Sequence, residues 1–455
     1  MSNGSTHVNA YLLRSTIVAA LGGLLFGFDT AVIAGATAAL STEYLLTPAM
    51  LGFTVGAALW GTVIGSMTAG PPSDRYGRKG SLQALAILYV VTALGCALAW
   101  NWYSFLLFRF IGGLAIGGSS VIGPMYIAEV APAAKRGRLV GFFQFNVVSG
   151  ILVAYLSNYL IGLANFGATE WRWKLGITGA PALLFFLALV TIPQSPRWLV
   201  RRGLLAEAKN VFTRIGEPNP DQEIQDVLES LGTENREKSE PLFQAKYRLP
   251  IFLAIAIGVF NQFSGINAIL YYLNDIFAKA GFDKVSSDLQ AVAIGFTNLV
   301  FTMIGMSIID KVGRRKLLLT GAIGTSACLA GVAAIFASGK NENLLVWLLI
   351  GFIAFFAFSQ GAVIWVYLSE VFPNLVRAKG QSLGSFTHWI MNAMISIAFP
   401  ALAALSKPIP FVFFAAATVV QFFVILFFFP ETKGITLEEM QHKLGVDMPR
   451  SKSTR

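Results

Sequence analysis

The sequence predicts an all-α membrane protein with twelve transmembrane helices in two pseudo-symmetric six-helix bundles. Three features predict it: an apolar composition, twelve apolar runs of crossing length, and one set of charged landmarks that occurs twice. Of the 455 residues, 55% are hydrophobic and 13% charged, and the mean hydropathy is +0.63. Soluble domains carry about 25% charged residues, so this chain is solvated by lipid. A helix rising about 1.5 Å per residue needs about 20 apolar residues to cross a bilayer. Such runs begin near residues 14, 50, 80, 103, 139, 172, 250, 287, 316, 343, 379 and 409. They are too long and too unalternating for strands, and a helix satisfies its own backbone in lipid.

The net charge of +10 invites a nucleic-acid reading, which the placement of the cations removes. Lys and Arg cluster in "DRYGRK" (74–79), "KRGR" (135–138), "RWLVRR" (197–202), "KVGRRK" (311–316), "VRAK" (376–379) and the tail. Twelve crossings put all of these on one side with both termini, while loops such as "STEYLLTP" and "WNWY" are nearly cation-free. That asymmetry predicts cytoplasmic termini. The short outer loops point to a bacterial plasma (inner) membrane. Cys96 and Cys328 each sit in an apolar run, so neither a disulfide nor a metal site is implied. The first run carries an acid and is followed at once by a second, so it reads as a membrane helix rather than a signal peptide.

Residues 196–247 form the one long polar segment. Within it "AEAKNVFTRIG" and "DQEIQDVLESLG" read as short amphipathic surface helices. The expected organisation is an N-terminal bundle (1–195), a linker (196–247), a C-terminal bundle (248–432) and a tail (433–455). "GPPSDRYGRK" and "EVAPAAKRG" in the first half answer to "GMSIIDKVGRRK" and "EVFPNLVRAKG" in the second. Asp74 and Arg78, like Asp310 and Arg314, are four apart; Glu129 and Arg136, like Glu370 and Arg377, are seven apart. Two such halves facing a central cavity are a common transporter plan.

These motifs, with "PQSPRWL" (193–199), "NQFSGINAILYY" (261–272) and "PETKG" (430–434), carry a family likeness. In this order the chain resembles the sugar porter family of the major facilitator superfamily over nearly its whole length. The resemblance implies two rigid bundles rocking about a midplane site for a monosaccharide or similar polyol. No metal-ligand spacing, nucleophile–base pair or phosphate loop occurs, so neither an enzyme nor a bound cofactor is expected. The expected partners are a hexose or pentose, a proton and the lipid bilayer, with no nucleic acid, and the monomer is the expected working unit.

The stretch "LLFGFDTAVIAG" (24–35) holds one acid, Asp29. Counting from Arg14, Asp29 lies about 22 Å along the first helix; counting from Tyr103, Arg109 lies about 9 Å along the fourth, which runs the other way. Their depths agree within a turn. A charge there costs roughly 3 kcal/mol or more, so each needs a partner or water. A carboxylate held by a guanidinium stays ionised; parted from it and desolvated, it takes up a proton. If closure of the bundles changes their distance, protonation is tied to conformation. The resemblance implies the same, because the matching position is an aspartate in proton-coupled symporters and typically not acidic in facilitators. The alternative is a permanent ion pair fixing helix 1 to helix 4.

A sugar needs donors and acceptors together with a flat apolar face, which amides and tryptophan supply. Helix 7 offers Asn261, Gln262 and Asn267 around Ser264-Gly265, where glycine permits local unwinding. Helix 5 adds Gln144, helix 8 Asn298, helix 10 Trp365, and helix 11 Trp389 and Asn392. By resemblance Gln144, Gln262, Asn267, Asn298, Trp365 and Asn392 match sugar-contacting positions. Tyr271 and Tyr272 match an extracellular gate, and Phe26 lies near the same cavity. Amides also bridge membrane helices, which is the competing role. Three positions depart from the family pattern: Asn261 replaces a glutamine, "SQGAVIW" lacks the prolines before Trp365 and carries Gln360, and His388 stands where an amide is common. His388 could titrate near neutrality and join the proton cycle, or stay neutral and donate one hydrogen bond.

Asp74, Arg78, Glu129, Arg136, Asp310, Arg314, Glu370 and Arg377 all map to inner helix ends. They are expected to form a salt-bridge latch that holds the two bundles together on the cytoplasmic side. Exposed pairs contribute only about 0–1 kcal/mol each, yet a network can bias a balanced equilibrium. A proton-independent uniporter differs from this reading at Asp29. A sugar receptor of this fold would be expected to signal through a tail longer than the roughly twenty polar residues after "PETKG". A drug antiporter would share "DRYGRK" but not "NQFSGINA" or "PETKG".

Overall fold

The computed structural model describes residues 9–132, 135–234, 240–435, 439–440 and 443–444. Among the described residues there are helices and turns but no strand. Twelve of these helices are long and apolar enough to cross a membrane. They are α1 (Ala10–Gly35), α2 (Pro48–Thr68), α3 (Gly70–Ala97), α4 (Trp102–Val130), α5 (Arg136–Ala164) and α6 (Gly167–Val190), then α7 (Ala245–Tyr271), α8 (Lys284–Val312), α9 (Arg314–Ser338), α10 (Leu344–Glu370), α11 (Arg377–Leu405) and α12 (Ile409–Phe428). The first begins four residues before Arg14, where the Asn9 side chain accepts from the Leu12 N–H and caps the helix.

Contacts gather the chain into two compact units. The first comprises Met1–Lys238 with Leu270–Gly295, and the second Ser239–Ile269 with Phe296–Arg455. The expected boundary near residue 248 gave all of α7 and α8 to the second half. Instead the end of α7, the connecting helix Leu273–Lys279 and the start of α8 pack with the first unit.

Within the first unit α1 packs on α5, α2 on α4, and α3 on both α4 and α6. Within the second, α7 packs on α11, and α9 on both α10 and α12. Gly305 of α8 meets the backbone of Phe358 in α10, completing the same pairing scheme. The two halves thus repeat one plan. The linker forms the short helices Pro196–Arg201, Leu205–Ile215 and Pro220–Glu234. Ala208, Phe212 and Ile215 of the second are buried on one face. They join the apolar core of the first unit beside Leu12, Leu199 and Val200.

Candidate functional site

Residues Asn101 and Ser104 form a reciprocal capping box that starts α4 and sets Arg109 two turns in. Asp29 lies one turn from the end of the regular α-helical part of α1. The two meet: Arg109 Nη1 donates to Oδ1 and Oδ2 of Asp29 at 2.9 and 3.0 Å. The Arg109 side chain is 5% exposed and that of Asp29 14%. Beside the pair is a cavity of about 10 Å³ bounded by Thr92, Cys96, Leu175 and Thr178, about the size of one water molecule. Arg109 Nε and Thr178 Oγ1 find no protein partner among the described residues. The acid therefore has an arginine on one side and a small polar space on the other.

Helix α7 breaks where expected. Its regular part ends at Phe263, a second stretch starts at Ile266, and Gly265 between them has φ +80°. A side chain there would be strained and would also strike the Phe414 ring of α12. The break turns Asn267 back, so that its Nδ2 donates to Gln262 Oε1 at 3.1 Å. Gln262 Nε2 donates to Asn261 Oδ1 at 3.0 Å and lies 3.3 Å from both ring nitrogens of His388. His388 sits between Trp365 and Trp389, with ring centroids 5.2 and 5.1 Å away. Asn261, Gln262, His388, Trp389 and Asn392 are buried, whereas Trp365 keeps 39% of its surface exposed. Asn298 Oδ1 accepts from Thr302, and Asn392 Oδ1 from Ser396. These amides, the imidazole and the two indoles all belong to the second unit. Gln144, half-buried on α5, and the buried Tyr271 and Tyr272 belong to the first. In place of the missing prolines α10 has a π-helical turn at Ala357–Gly361. Such a turn inserts a residue and bends a helix without proline. Gln360 in that turn donates to Gln421 of α12 at 2.9 Å.

The charges at the helix ends form two like triads. Arg78 reaches Asp74 at 3.0 Å and Glu129 at 2.9 Å, all in the first unit. Arg314 reaches Asp310 at 2.9 Å and Glu370 at 2.7 Å, all in the second. Each network closes within its own unit, because the i,i+4 acid and the acid ending the neighbouring helix already saturate the guanidinium. Arg377 Nε donates to the Phe372 carbonyl, and Arg136 Nε has no partner among the described residues.

Four residues of the "PQSPRWL" and "PETKG" motifs, to which the sequence alone assigned no contact, complete these networks. Ser195 donates to Glu129 and Thr432 to Glu370. Gln194 Oε1 accepts from the Lys79 N–H at 2.9 Å, and Glu431 Oε1 from the Arg314 N–H at 2.9 Å. Each caps the helix that resumes after a glycine of positive φ, Gly77 at +80° and Gly313 at +100°. "PQSPRWL" and "PETKG" are thus one device used twice.

A second charged group lies at the opposite end of the first unit. Lys174 Nζ reaches Glu170 at 2.9 Å and Asp288 at 3.1 Å, and both Lys174 and Asp288 side chains are 1% exposed. Lys174 and Asp288 are thus a second buried charged pair within the spans. Lys174 escaped notice because "EWRWKLG" reads as interfacial charge. Nearby, Asp275 is half-buried beyond α7. Burial pushes its carboxyl up to about 6, against the pull of the Thr37 hydroxyl and of Lys279, with Tyr272 the other titratable neighbour. Between pH 3.8 and about 6 the folded protein therefore holds a proton that the unfolded chain has lost. Stability from this group falls as pH rises through that window and is flat above it. Asp275→Asn is expected to raise the thermal midpoint relative to the parent by an amount that grows from pH 4 to 6. Parallel midpoint curves across that range would contradict the assignment.

Twelve membrane helices in two like halves, with polar side chains gathered on broken helices, define a secondary transporter of the major facilitator type. The model described as "Sugar (and other) transporter" matches residues 15–444, and the chain belongs to that family. It is 36% identical to the glucose transport protein of Synechocystis over 96% of this chain and 98% of that one. It is 34% identical to the D-xylose-proton symporter of Escherichia coli K12, covering 95% and 96%. It also resembles the inward-open structure of the xylose transporter XylE from E. coli, with TM-score 0.85 and 33% identity over 95% of this chain and all of that one. The protein is a sugar transporter and not an enzyme.

Proposed function

We propose that this protein imports an aldopentose or aldohexose together with a proton, with both termini in the cytoplasm and the plasma membrane as its seat. The observation that carries the coupling is the Asp29–Arg109 pair, desolvated and beside a small polar cavity. In one state the guanidinium keeps the carboxylate ionised; in the other the pair parts and the acid takes a proton. The similar E. coli protein is named for xylose and a proton, and the Synechocystis protein for glucose. Gln144, Asn261, Gln262, Asn267, Asn298 and Asn392 would bind hydroxyls, with Trp365 and Trp389 against the C–H face. Tyr271 and Tyr272 would close over the sugar. The two inner networks would keep each bundle's inner end rigid while the bundles move.

Reconstituted protein with labelled sugar, a panel of unlabelled competitors and a protonophore tests both parts. The reading expects accumulation above the outside concentration, its collapse on adding protonophore, and competition by pentoses or hexoses. Accumulation that ignores the protonophore, or simple equilibration without it, would favour uniport.

A further inference from the structure

The segment Leu270–Gly295 is continuous at both ends with the second unit, yet it packs with the first. It buries Leu273, Ile276, Phe277 and Ile294, and among these apolar side chains lies a closed set of polar contacts. Asp288 accepts from Lys174 Nζ of α6 at 3.1 Å and from Asn274 Nδ2. Lys174 also reaches Glu170, whose other oxygen takes Lys284 Nζ from the segment. Tyr155 Oη of α5 donates to the Leu270 carbonyl at 2.8 Å, where the segment begins. The polar atoms close on one another across the docked face, and Lys174 and Asp288 are almost wholly removed from water.

We propose that the buried Lys174–Asp288 pair is a clasp, parting and re-forming once in every transport cycle as Leu270–Gly295 leaves and rejoins the first unit. A carrier that exposes its site alternately must move one bundle against the other. A segment tethered to one bundle and docked on the other must then be released. An ion pair suits that task better than an apolar seam. Buried, it gains Coulomb energy but loses hydration; parted at a wet mouth, it regains hydration. The segment's buried apolar side chains favour docking, and the desolvation of the pair opposes it, which keeps the docked and released states nearer balance. The same turn of α6 places Leu175 and Thr178 against the Asp29–Arg109 cavity. Release of Lys174 is thereby felt at the proposed proton site.

The two ways of removing the clasp have opposite consequences. Lys174→Met leaves Asp288 buried without its cation and drives the segment off. Lys174→Met with Asp288→Leu removes the desolvation cost from an otherwise apolar seam, keeps the Glu170–Lys284 pair and holds the segment down. The readout is the distance between spin labels at Thr42→Cys and Ala278→Cys, both exposed positions. The background lacks Cys96 and Cys328, the protein sits in nanodiscs, and sugar counterflow is measured in liposomes. Expected is a larger long-distance population in the single variant. In the double variant that population vanishes and counterflow slows at least tenfold. Should the single variant not fold, the double variant decides alone. Wild-type distances and counterflow in the double variant, or shifts of both variants in one direction, would overturn the clasp. Neither readout needs a proton gradient, so failure here is distinct from failure of proton coupling.

Discussion

Asp29→Asn is expected to abolish uphill sugar accumulation while leaving exchange of sugar across the membrane intact. The amide keeps the shape of the carboxylate and one acceptor for Arg109 Nη1, but it carries no titratable proton. At one proton per sugar, each pH unit across the membrane is worth about 1.4 kcal/mol and supports about tenfold accumulation. The variant should therefore fall from about tenfold to an accumulation ratio of about one. Exchange needs only the sugar site and the conformational change, so its survival shows that the protein is folded. Replacement of a buried partner can itself destabilise by about 3–5 kcal/mol, which makes that control necessary. Accumulation undiminished in Asp29→Asn would leave the pair as a fixed strut between α1 and α4.

Gln262→Ala should weaken sugar binding about 30–100-fold. Gln262 joins Asn261, Asn267 and His388 around the break in α7, so one amide organises three polar neighbours. Losing two hydrogen bonds to a ligand is worth about 2–3 kcal/mol. Tryptophan fluorescence reports it directly, because Trp365 and Trp389 flank the cluster. Unchanged affinity would make Gln262 a bridge between α7 and α11 rather than a ligand to sugar.

The architecture was readable because lipid imposes it: run length, cation placement and repeated landmarks each reflect a solvent boundary. The Asp29–Arg109 contact was readable for the same reason, since two charges at equal depth have few other options. The break at Gly265 was signalled by its glycine. Partners decided by tertiary packing were not readable. Gln194 and Glu431 belong to recognisable motifs, but their capping role emerges only where Gly77 and Gly313 turn the chain and expose the first N–H groups of the helices that follow. Arg78 and Arg314 could equally have paired across the two halves; local spacing gave them nearer acids. Lys174 and Asp288 lie 114 residues apart, and each alone resembles a charge at a membrane edge. The π-helical turn near Gln360 had no sequence signal beyond the absence of proline.

The most direct test of coupled transport is the pH of a lightly buffered suspension of proteoliposomes when sugar is added outside. Proton symport through Asp29 predicts an immediate alkalinisation of the medium that follows sugar entry, close to one proton per sugar, and is absent in Asp29→Asn. Sugar entering the parent protein with no change in external pH would contradict it.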